Sequence, residues 1–398
     1  MEAVDSGVAA RAPQIVAIGG AQLVAWASSI YLPAVIVRPQ AAELGVGSAT
    51  VFAACSLALL IAALVAPAIG RTIDRRGGRE VLVLSNLVLA TGLTGLGFSV
   101  GPVSLLLAWT TIGLGIALGL YDAAFAALVR QHGAGARSAI IGITLLGGFA
   151  STVGWPLTAW WQAEYGWRAA CLLWAALHLF VALPLNALFI PRLPRGQPLP
   201  QSTAGRAAPD ADEKRKLALL AVFGAATAVV TSAMATHLPA LLMASGLGVA
   251  AAIAAASAVG AAQVAARFAE FALARYRPQP PLRMAKLATA LHPLGAAGLL
   301  AAGATAPLAA VFTTLHGAGN GMITIAKGTL PLTLFGAGGY GARLGLLTFA
   351  HRLAQATAPF LYGLVLDDWG APGGLAVSTA LSMVALGSLL AIGPRQRT

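Results

Sequence analysis

Two arginines lie inside long apolar stretches of this sequence, Arg267 and Arg352. An ionised side chain within a membrane segment costs at least about 2.5–3.5 kcal/mol on insertion scales, so such a residue is a functional candidate by default. A guanidinium suits an anion, because its planar fork donates two charge-assisted hydrogen bonds to one carboxylate. Arg352 and Arg267 are therefore candidates for binding an anionic solute, with His351 and Gln355 beside Arg352. Structural pairing is the alternative for each arginine.

Two carboxylates also lie within apolar stretches, Asp122 and Glu270. A protonatable carboxyl group inside a membrane is a candidate for proton coupling. Glu270 follows Arg267 by one helical turn, so it is also placed to neutralise that arginine. Asp122 has a second interpretation, in which it pairs with an arginine of the segment 70–79. Both alternatives stay open at the level of sequence.

The composition shows which elements must hold these residues. Of the 398 residues, 58% are apolar and 10% are charged, against about 45–50% and about 25% in an ordinary soluble domain. This excludes a soluble globular enzyme and predicts a polytopic membrane protein. A membrane enzyme is also disfavoured, because the sequence has no HExxH, GxSxG or paired-aspartate GxGD motif. It has no Gly-rich phosphate loop either, so energy should come from a gradient and not from ATP.

Twelve apolar runs, bounded by charge, Gly or Pro, are long enough to span a membrane as helices. The predicted fold class is therefore an all-α membrane protein with twelve transmembrane helices. The runs are 15–37, 49–70, 81–100, 103–129, 138–162, 169–190, 217–243, 249–273, 283–302, 306–330, 342–365 and 373–393.

The basic residues indicate how these helices are oriented. With the N-terminus in the cytoplasm, 20 of the 25 Lys and Arg residues lie inside, two lie outside and three lie within spans. This bias predicts a multi-pass protein of the cell inner membrane with both termini cytoplasmic. It also assigns the net charge of +12 to loops beside the lipid bilayer, so no nucleic-acid partner is expected.

Residues 191–216 are rich in Pro, Gly, Ser and charge, and they predict a cytoplasmic linker between two six-helix bundles, 1–190 and 217–398. The two predicted bundles share short sequence motifs at a constant offset. YLPA at 31–34 recurs as HLPA at 237–240, and the Ala-Arg pair at 136–137 recurs at the same offset at 342–343. A 6+6 pseudo-repeat of this kind is typical of secondary transporters.

The segment between the second and third spans, residues 70–80, reads GRTIDRRGGRE. It resembles the helix 2–3 loop signature of the major facilitator superfamily, G-x-x-x-D-[RK]-x-G-[RK]-[RK], with Gly78 where a basic residue is usual. The twelve spans and the central linker extend the resemblance to the whole chain. It implies the major facilitator fold and a cytoplasmic latch that gates transport. The matching gating residues are Gly70, Asp74, Arg75, Gly77 and Arg79.

Basic residues in the eighth and eleventh spans resemble those of the monocarboxylate porter and oxalate:formate antiporter branch. This resemblance implies that Arg267 and Arg352 hold a carboxylate. In the superfamily, helices 1, 4, 7 and 10 line the cavity, which ranks Trp26, Tyr31 and Asn320 first among the other substrate-binding candidates.

The expected function is secondary active transport of a small anionic, carboxylate-type solute by alternating access, coupled to protons or to a counter-transported anion. The alternative is a drug or metalloid (arsenite-type) efflux pump of the same superfamily. The protein is expected to act as a monomer in the lipid bilayer, with no cofactor and no metal.

Overall fold

In the computed structural model, the described residues are 2–192, 210–276, 279–303 and 305–393, and they form helices joined by short turns, with no strand among them. They fall into two compact units. The first comprises Met1–Ala204 and Pro331–Phe349, and the second comprises Gly205–Leu330 and Ala350–Thr398. Residues 331–349 thus group with the first unit, although the sequence-based boundary places them in the C-terminal bundle.

The first unit contains nine α-helices, together with a 3-10 turn at Gly133–Ala136 and a π-helical turn at His178–Ala182, among its described residues. Its core is built on buried tryptophans such as Trp109 and Trp174. The helices are α1 (Glu2–Ser29), α2 (Pro33–Glu43), α3 (Ser48–Arg76), α4 (Arg79–Gly97), α5 (Pro102–Gly119), α6 (Tyr121–His132), α7 (Arg137–Gly147), α8 (Ala150–Leu177) and α9 (Leu183–Phe189).

The remaining helices belong mainly to the second unit, although α13 ends and α14 begins within residues 331–349. They are α10 (Ala211–Ala244), α11 (Val249–Tyr276), α12 (Pro281–Ala302), α13 (Ala306–Phe335) and α14 (Tyr340–Leu390).

The start of α10 differs from the predicted end of the linker. Residues 193–209 of that linker lie outside the described residues, whereas 211–216 are already helical. Asp210 caps this helix, because its Oδ1 accepts a hydrogen bond from Glu213 N at 2.7 Å. Acidic side chains in the first turn also favour the helix dipole. The charge that suggests a linker at 210–216 therefore begins a helix instead.

Two glycines with positive φ interrupt the helices α8 and α14. Gly166 (φ 83°) breaks α8, and Gly370 (φ 62°) breaks α14. Glycine alone adopts this backbone region without steric cost, so both positions act as turns between helical segments. They fall in the gaps between the predicted runs 138–162 and 169–190, and between 342–365 and 373–393.

Seven helical stretches of the described chain are long and apolar enough to cross a membrane. One of them, Pro102–Phe189, runs for 88 residues because several bent segments are continuous with one another. The structure is therefore all-helical and membrane-spanning. The seven are Ala12–Glu43, Ser48–Arg76, Arg79–Gly97, Pro102–Phe189, Ala211–Ala244, Val249–Ala274 and Leu361–Leu390.

Candidate functional site

Asp74, near the end of α3, caps the first turn of α14 within the first unit. Its Oδ1 accepts a hydrogen bond from Gly341 N and its Oδ2 accepts one from Ala342 N, both at 2.8 Å. These amides have no carbonyl partner inside their own helix, and the helix dipole favours a negative charge beside them. The carboxylate thus binds α14 as an anion binds a helix N-terminus.

Glycines allow α3 and α14 to approach closely enough for this cap. A β-carbon added at Gly70 would overlap the carbonyl oxygen of Gly341, and one added at Gly341 would lie 2.5 Å from Gly70 O. One turn further along, a β-carbon at Gly345 would lie 2.5 Å from Ala66 O. Gly70 of the signature therefore allows α3 to lie close to α14, and this short distance lets Asp74 reach the backbone amides of α14.

The arginines of the same segment have separate roles. Arg79 donates from Nε and Nη2 to Ala187 O, at 3.1 and 2.6 Å, which ties the start of α4 to α9. Arg75 is exposed. Arg130, in the last turn of α6, is buried and donates from Nε to Asp74 O at 3.1 Å. A cation from α6 thus lies beside the capping residue.

The two glycines after Arg76 shape the turn between α3 and α4. Gly77 has a φ of 87°, and its amide donates to Ile73 O at 2.9 Å, so it terminates α3. Gly78 is the departure from the family signature. A β-carbon there would overlap the side chain of Ala127 in α6. The close approach of α6 explains why a basic side chain does not fit at this position.

Aromatic side chains form a row through the first unit. Trp26 lies 4.9 Å from Tyr121 and 6.3 Å from Tyr31, measured between ring centroids. Tyr31 meets Trp155 edge-on at 5.4 Å, and Trp155 Nε1 donates to Tyr31 O at 3.2 Å. The structure therefore brings Trp26 and Tyr31 together. The chain also bends here, because the amides of residues 30 and 31 both donate to Trp26 O and α1 ends at Ser29.

Asp122 is the second residue of α6 and is half-buried. It lies near enough to Tyr340, the first residue of α14, to act electrostatically on its hydroxyl, and Asp74 acts on the same group. The carboxyl group that the sequence suggests for proton coupling is thus a neighbour of the α14 cap.

In the second unit, Arg267 reaches from α11 to α13. It is buried, and it donates from Nε to Gly321 O at 3.3 Å and from Nη2 to Thr324 Oγ1 at 3.4 Å. A β-carbon at Gly321 would lie 2.6 Å from Gln263 O, so α11 and α13 touch at this level. Neutral oxygens of α13 therefore orient this guanidinium.

Arg352 is buried on α14 and donates from Nη1 to Gln355 Oε1 at 3.1 Å. Gln355 is held in turn by α10, since Ser232 Oγ donates to Gln355 O at 3.2 Å. The adjacent Thr231 Oγ1 donates to Asn320 Oδ1 at 2.8 Å, on α13. Thr231 and Ser232 of α10 thus bond to α13, which contacts Arg267, and to Gln355, which contacts Arg352.

These contacts form one polar strip across four helices of the second unit. Three of its members, Thr231, Ser232 and Thr324, are not predicted from the sequence. Hydroxyl residues within an apolar helix often bond to their own backbone one turn earlier, as Thr227 does with Phe223 O at 2.9 Å, so no sequence signal distinguishes them. The strip consists of Arg267, Thr324, Asn320, Thr231, Ser232, Gln355 and Arg352.

His351 and Glu270 lie beside the strip. The His351 ring packs against α10, where a β-carbon at Gly224 would overlap its Nε2 atom. Glu270 is buried on α11, three residues after Arg267.

Three solved structures share this architecture over 95% of the chain. The human organic anion transporter MFSD10 (TETRAN) superposes with a TM-score of 0.75 at 17% identity, covering 99% of that chain. The major facilitator superfamily transporter FucP, in the outward conformation, gives 0.72 at 12% identity, and a variant of the E. coli fucose:proton symporter FucP gives 0.68 at 14%, each covering 98% of that chain. At these identities the similarity establishes the fold. Among curated proteins, no sequence matches.

The sequence itself matches the profile of the Major Facilitator Superfamily over residues 18–312, about three quarters of its length. The match includes the segment with Asp74 and part of the polar strip, from Thr231 to Arg267. The all-helical fold and the profile agree that this is a membrane transporter and not an enzyme. The chain belongs to the Major Facilitator Superfamily.

Proposed function

We propose that this transporter moves a small anionic, carboxylate-type solute across the cytoplasmic membrane by alternating access. The polar strip carries the proposal, because it holds two buried guanidiniums, Arg267 and Arg352, in one unit and orients both with neutral oxygens. Buried charges attract an opposite charge more strongly than exposed ones, since the local dielectric is low. An anion bound beside this strip would be attracted by the positive charge of both arginines.

The structural neighbours agree with transport but do not select the solute. One is an organic anion transporter by its title and another is a fucose:proton symporter, so the fold they share carries different solutes. The sign of charge in our proposal comes from the arginines of this chain. We further propose that transport is coupled to protons or to exchange of a second anion. Asp122 and Glu270 are the carboxyl groups that would carry a proton.

In the first unit, Trp26 and Tyr31 supply a face on which an organic solute can pack. We assign the gating step to Asp74, together with Gly70, Arg75, Gly77 and Arg79. The carboxylate holds α14 by two backbone hydrogen bonds, and it releases them when the cytoplasmic side opens.

We further propose twelve membrane crossings in the inner membrane, with both termini in the cytoplasm and a monomer as the working form. The stretch Pro102–Phe189 then contains three crossings, separated near residues 133–136 and at Gly166. The break at Gly370 divides α14 into two crossings.

Uptake of labelled carboxylates into proteoliposomes, with and without a pH gradient, tests this function. We expect Arg352→Ala to lose binding of the transported anion by at least about tenfold, because one charge-assisted hydrogen-bonding group is worth about 1.5–3 kcal/mol. Arg352→Lys should recover part of that loss, since a point charge cannot reproduce the bidentate fork.

Arg71→Ala is the matched control, because Arg71 is an exposed arginine at the cytoplasmic end of α3. Its variant should bind like the wild type. If Arg352→Ala transports the identified solute normally, or if that solute is a cation, the anion proposal fails and efflux of a drug or metalloid takes its place.

A further inference from the structure

Two histidines lie against each other inside the second unit. His292 of α12 and His316 of α13 have their Nδ1 atoms 2.9 Å apart and their rings nearly perpendicular, at 73°. Both side chains are buried, and the ring of Phe312 covers both, at 5.4 and 6.3 Å between centroids. Gly295 and Gly319 bring the helices together, since a β-carbon at either would press on the facing helix.

The distance between the two Nδ1 atoms determines where the proton between the rings lies. At 2.9 Å one ring must donate its Nδ1 proton to the lone pair of the other, so the neutral pair holds opposite tautomers. One additional proton converts it into an imidazolium–imidazole pair with a charge-assisted bridging hydrogen bond. His292 Nε2 is buried and has no hydrogen-bond partner among the described residues, so it takes that proton in the tautomer in which His292 donates from Nδ1.

Each ring of the pair is buried and has the other ring as its hydrogen-bonding neighbour. The helices of this part of the chain carry further ionisable groups elsewhere along their lengths. These are Asp212, Glu213, Lys214, Arg215, Lys216 and His237 on α10, Arg267, Glu270, Arg275 and Tyr276 on α11, Arg283 and Lys286 on α12, Lys327 on α13, and Tyr340, Arg343, His351, Arg352, Tyr362, Asp367 and Asp368 on α14.

We propose that His292 and His316 form a proton-binding site that couples protonation to transport, which rests on the proposed transport function. Burial of the two rings opposes a charged pair, so the proton binds better when the packing around the rings opens. Acidification therefore favours that open conformation. His316 lies one helical turn before Asn320, so the change reaches the polar strip directly.

Histidine protonation and backbone dynamics of the full chain in nanodiscs test this site, with protons as the only probe. The rings of all six histidines are labelled with nitrogen-15 and followed by NMR from about pH 8 to about pH 4.5, the range in which histidine titrates. We expect the signals of His292 and His316 to change together, with one proton taken up per pair. Hydrogen–deuterium exchange of α12 and α13, corrected for intrinsic rates, should rise at least about threefold between pH 7.5 and pH 5.5.

His316→Gln and His292→Gln should abolish this rise, whereas His132→Gln, on α6 in the first unit, should keep it. A pair that stays neutral down to pH 4.5, or a wild-type pH response in both pair variants, overturns the proposal. The titration of the wild-type chain decides the question if neither pair variant folds. Anion binding by Arg352→Ala at one fixed pH is measured separately, so failure of the transport proposal remains distinguishable.

Discussion

Individual side chains in this protein obtain their roles from what the opposite helix offers them. Asp74 finds two free amides at the start of α14, whereas Arg267 finds a carbonyl oxygen and a hydroxyl group on α13. Gly78 replaces a basic residue of the family signature because Ala127 occupies the space of a side chain. The type of each residue determines which bonds it is able to form, and the groups on the facing helix determine which of those bonds it forms.

At the residue scale, Asp74→Asn tests the cap on α14. An amide keeps one acceptor oxygen but loses the charge that the helix dipole favours by about 0.3–1 kcal/mol, which corresponds to about a two- to fivefold shift in a conformational equilibrium. We expect normal expression and a solute affinity within about twofold of wild type, because Asp74 is not part of the polar strip. Transport should be slowed about two- to fivefold. Initial rates of uptake in proteoliposomes measure it.

Glu80→Gln is the control for this change, because Glu80 is an exposed acid in the first turn of α4. It should transport at the wild-type rate. Unchanged turnover in Asp74→Asn would refute the gating role of the carboxylate.

Helices in this fold approach one another through small residues. The contact of α3 with α14 uses Gly70, Gly341 and Gly345, and that of α11 with α13 uses Gly317 and Gly321. In a membrane the association of helices depends on such close packing, because lipid is as apolar as the side chains it meets. Close approach also exposes backbone carbonyls to side chains of the neighbouring helix, which is how Arg267 reaches Gly321 O.

At the element scale, two glycine-to-alanine substitutions should have opposite effects. In Gly70→Ala the new methyl group overlaps Gly341 O, so we expect a loss of about 1–3 kcal/mol in stability. Gly260 lies inside α11, where an added methyl group would have no atom of a neighbouring helix within 4 Å, so Gly260→Ala should stabilise the helix by about 0.4–1 kcal/mol. Thermal unfolding in detergent measures both, and equal shifts of the same sign would contradict the close-packing argument.

The distribution of charge predicts how the whole molecule is oriented in the membrane. Basic residues concentrate in the segments predicted to be cytoplasmic, such as the turn after α3 and the region before α10. On the side predicted to face away from the cytoplasm, Arg168 pairs with Glu43 at 2.8 Å and donates to Gly97 O and Ser99 O, also at 2.8 Å. Arg168 therefore joins the C-terminal ends of α2 and α4 to α8.

At the scale of the molecule, single cysteines test the orientation in a chain whose Cys55 and Cys171 are replaced by alanine. In right-side-out vesicles, an impermeant thiol reagent should label Glu164→Cys, which is exposed between two predicted spans. It should label Ser202→Cys, in the predicted linker, only after permeabilisation. The reverse pattern would mean that the termini lie outside the cytoplasm.

The sequence by itself determined the class of this protein and the residues with unusual chemistry. Apolar runs predict helices because a backbone in lipid must satisfy its own hydrogen bonds, and the spacing of Gly70, Asp74 and Gly77 predicts a family because few other loops need that combination. Arg267 and Arg352 are recognisable from the sequence as functional candidates, because a charge inside an apolar run is costly. Their interpretation as anion ligands stays a prediction.

Only the tertiary structure decided which groups meet. Asp74 bonds to an amide 267 residues away, Thr231 bonds to Asn320, and His292 meets His316 across two helices. Hydropathy and helical periodicity specify that each residue lies on a helix, but not the rotation of that helix or the depth at which its neighbour crosses it. Those quantities depend on where glycines permit backbones to touch, and that is a property of pairs of helices which no single stretch of sequence contains.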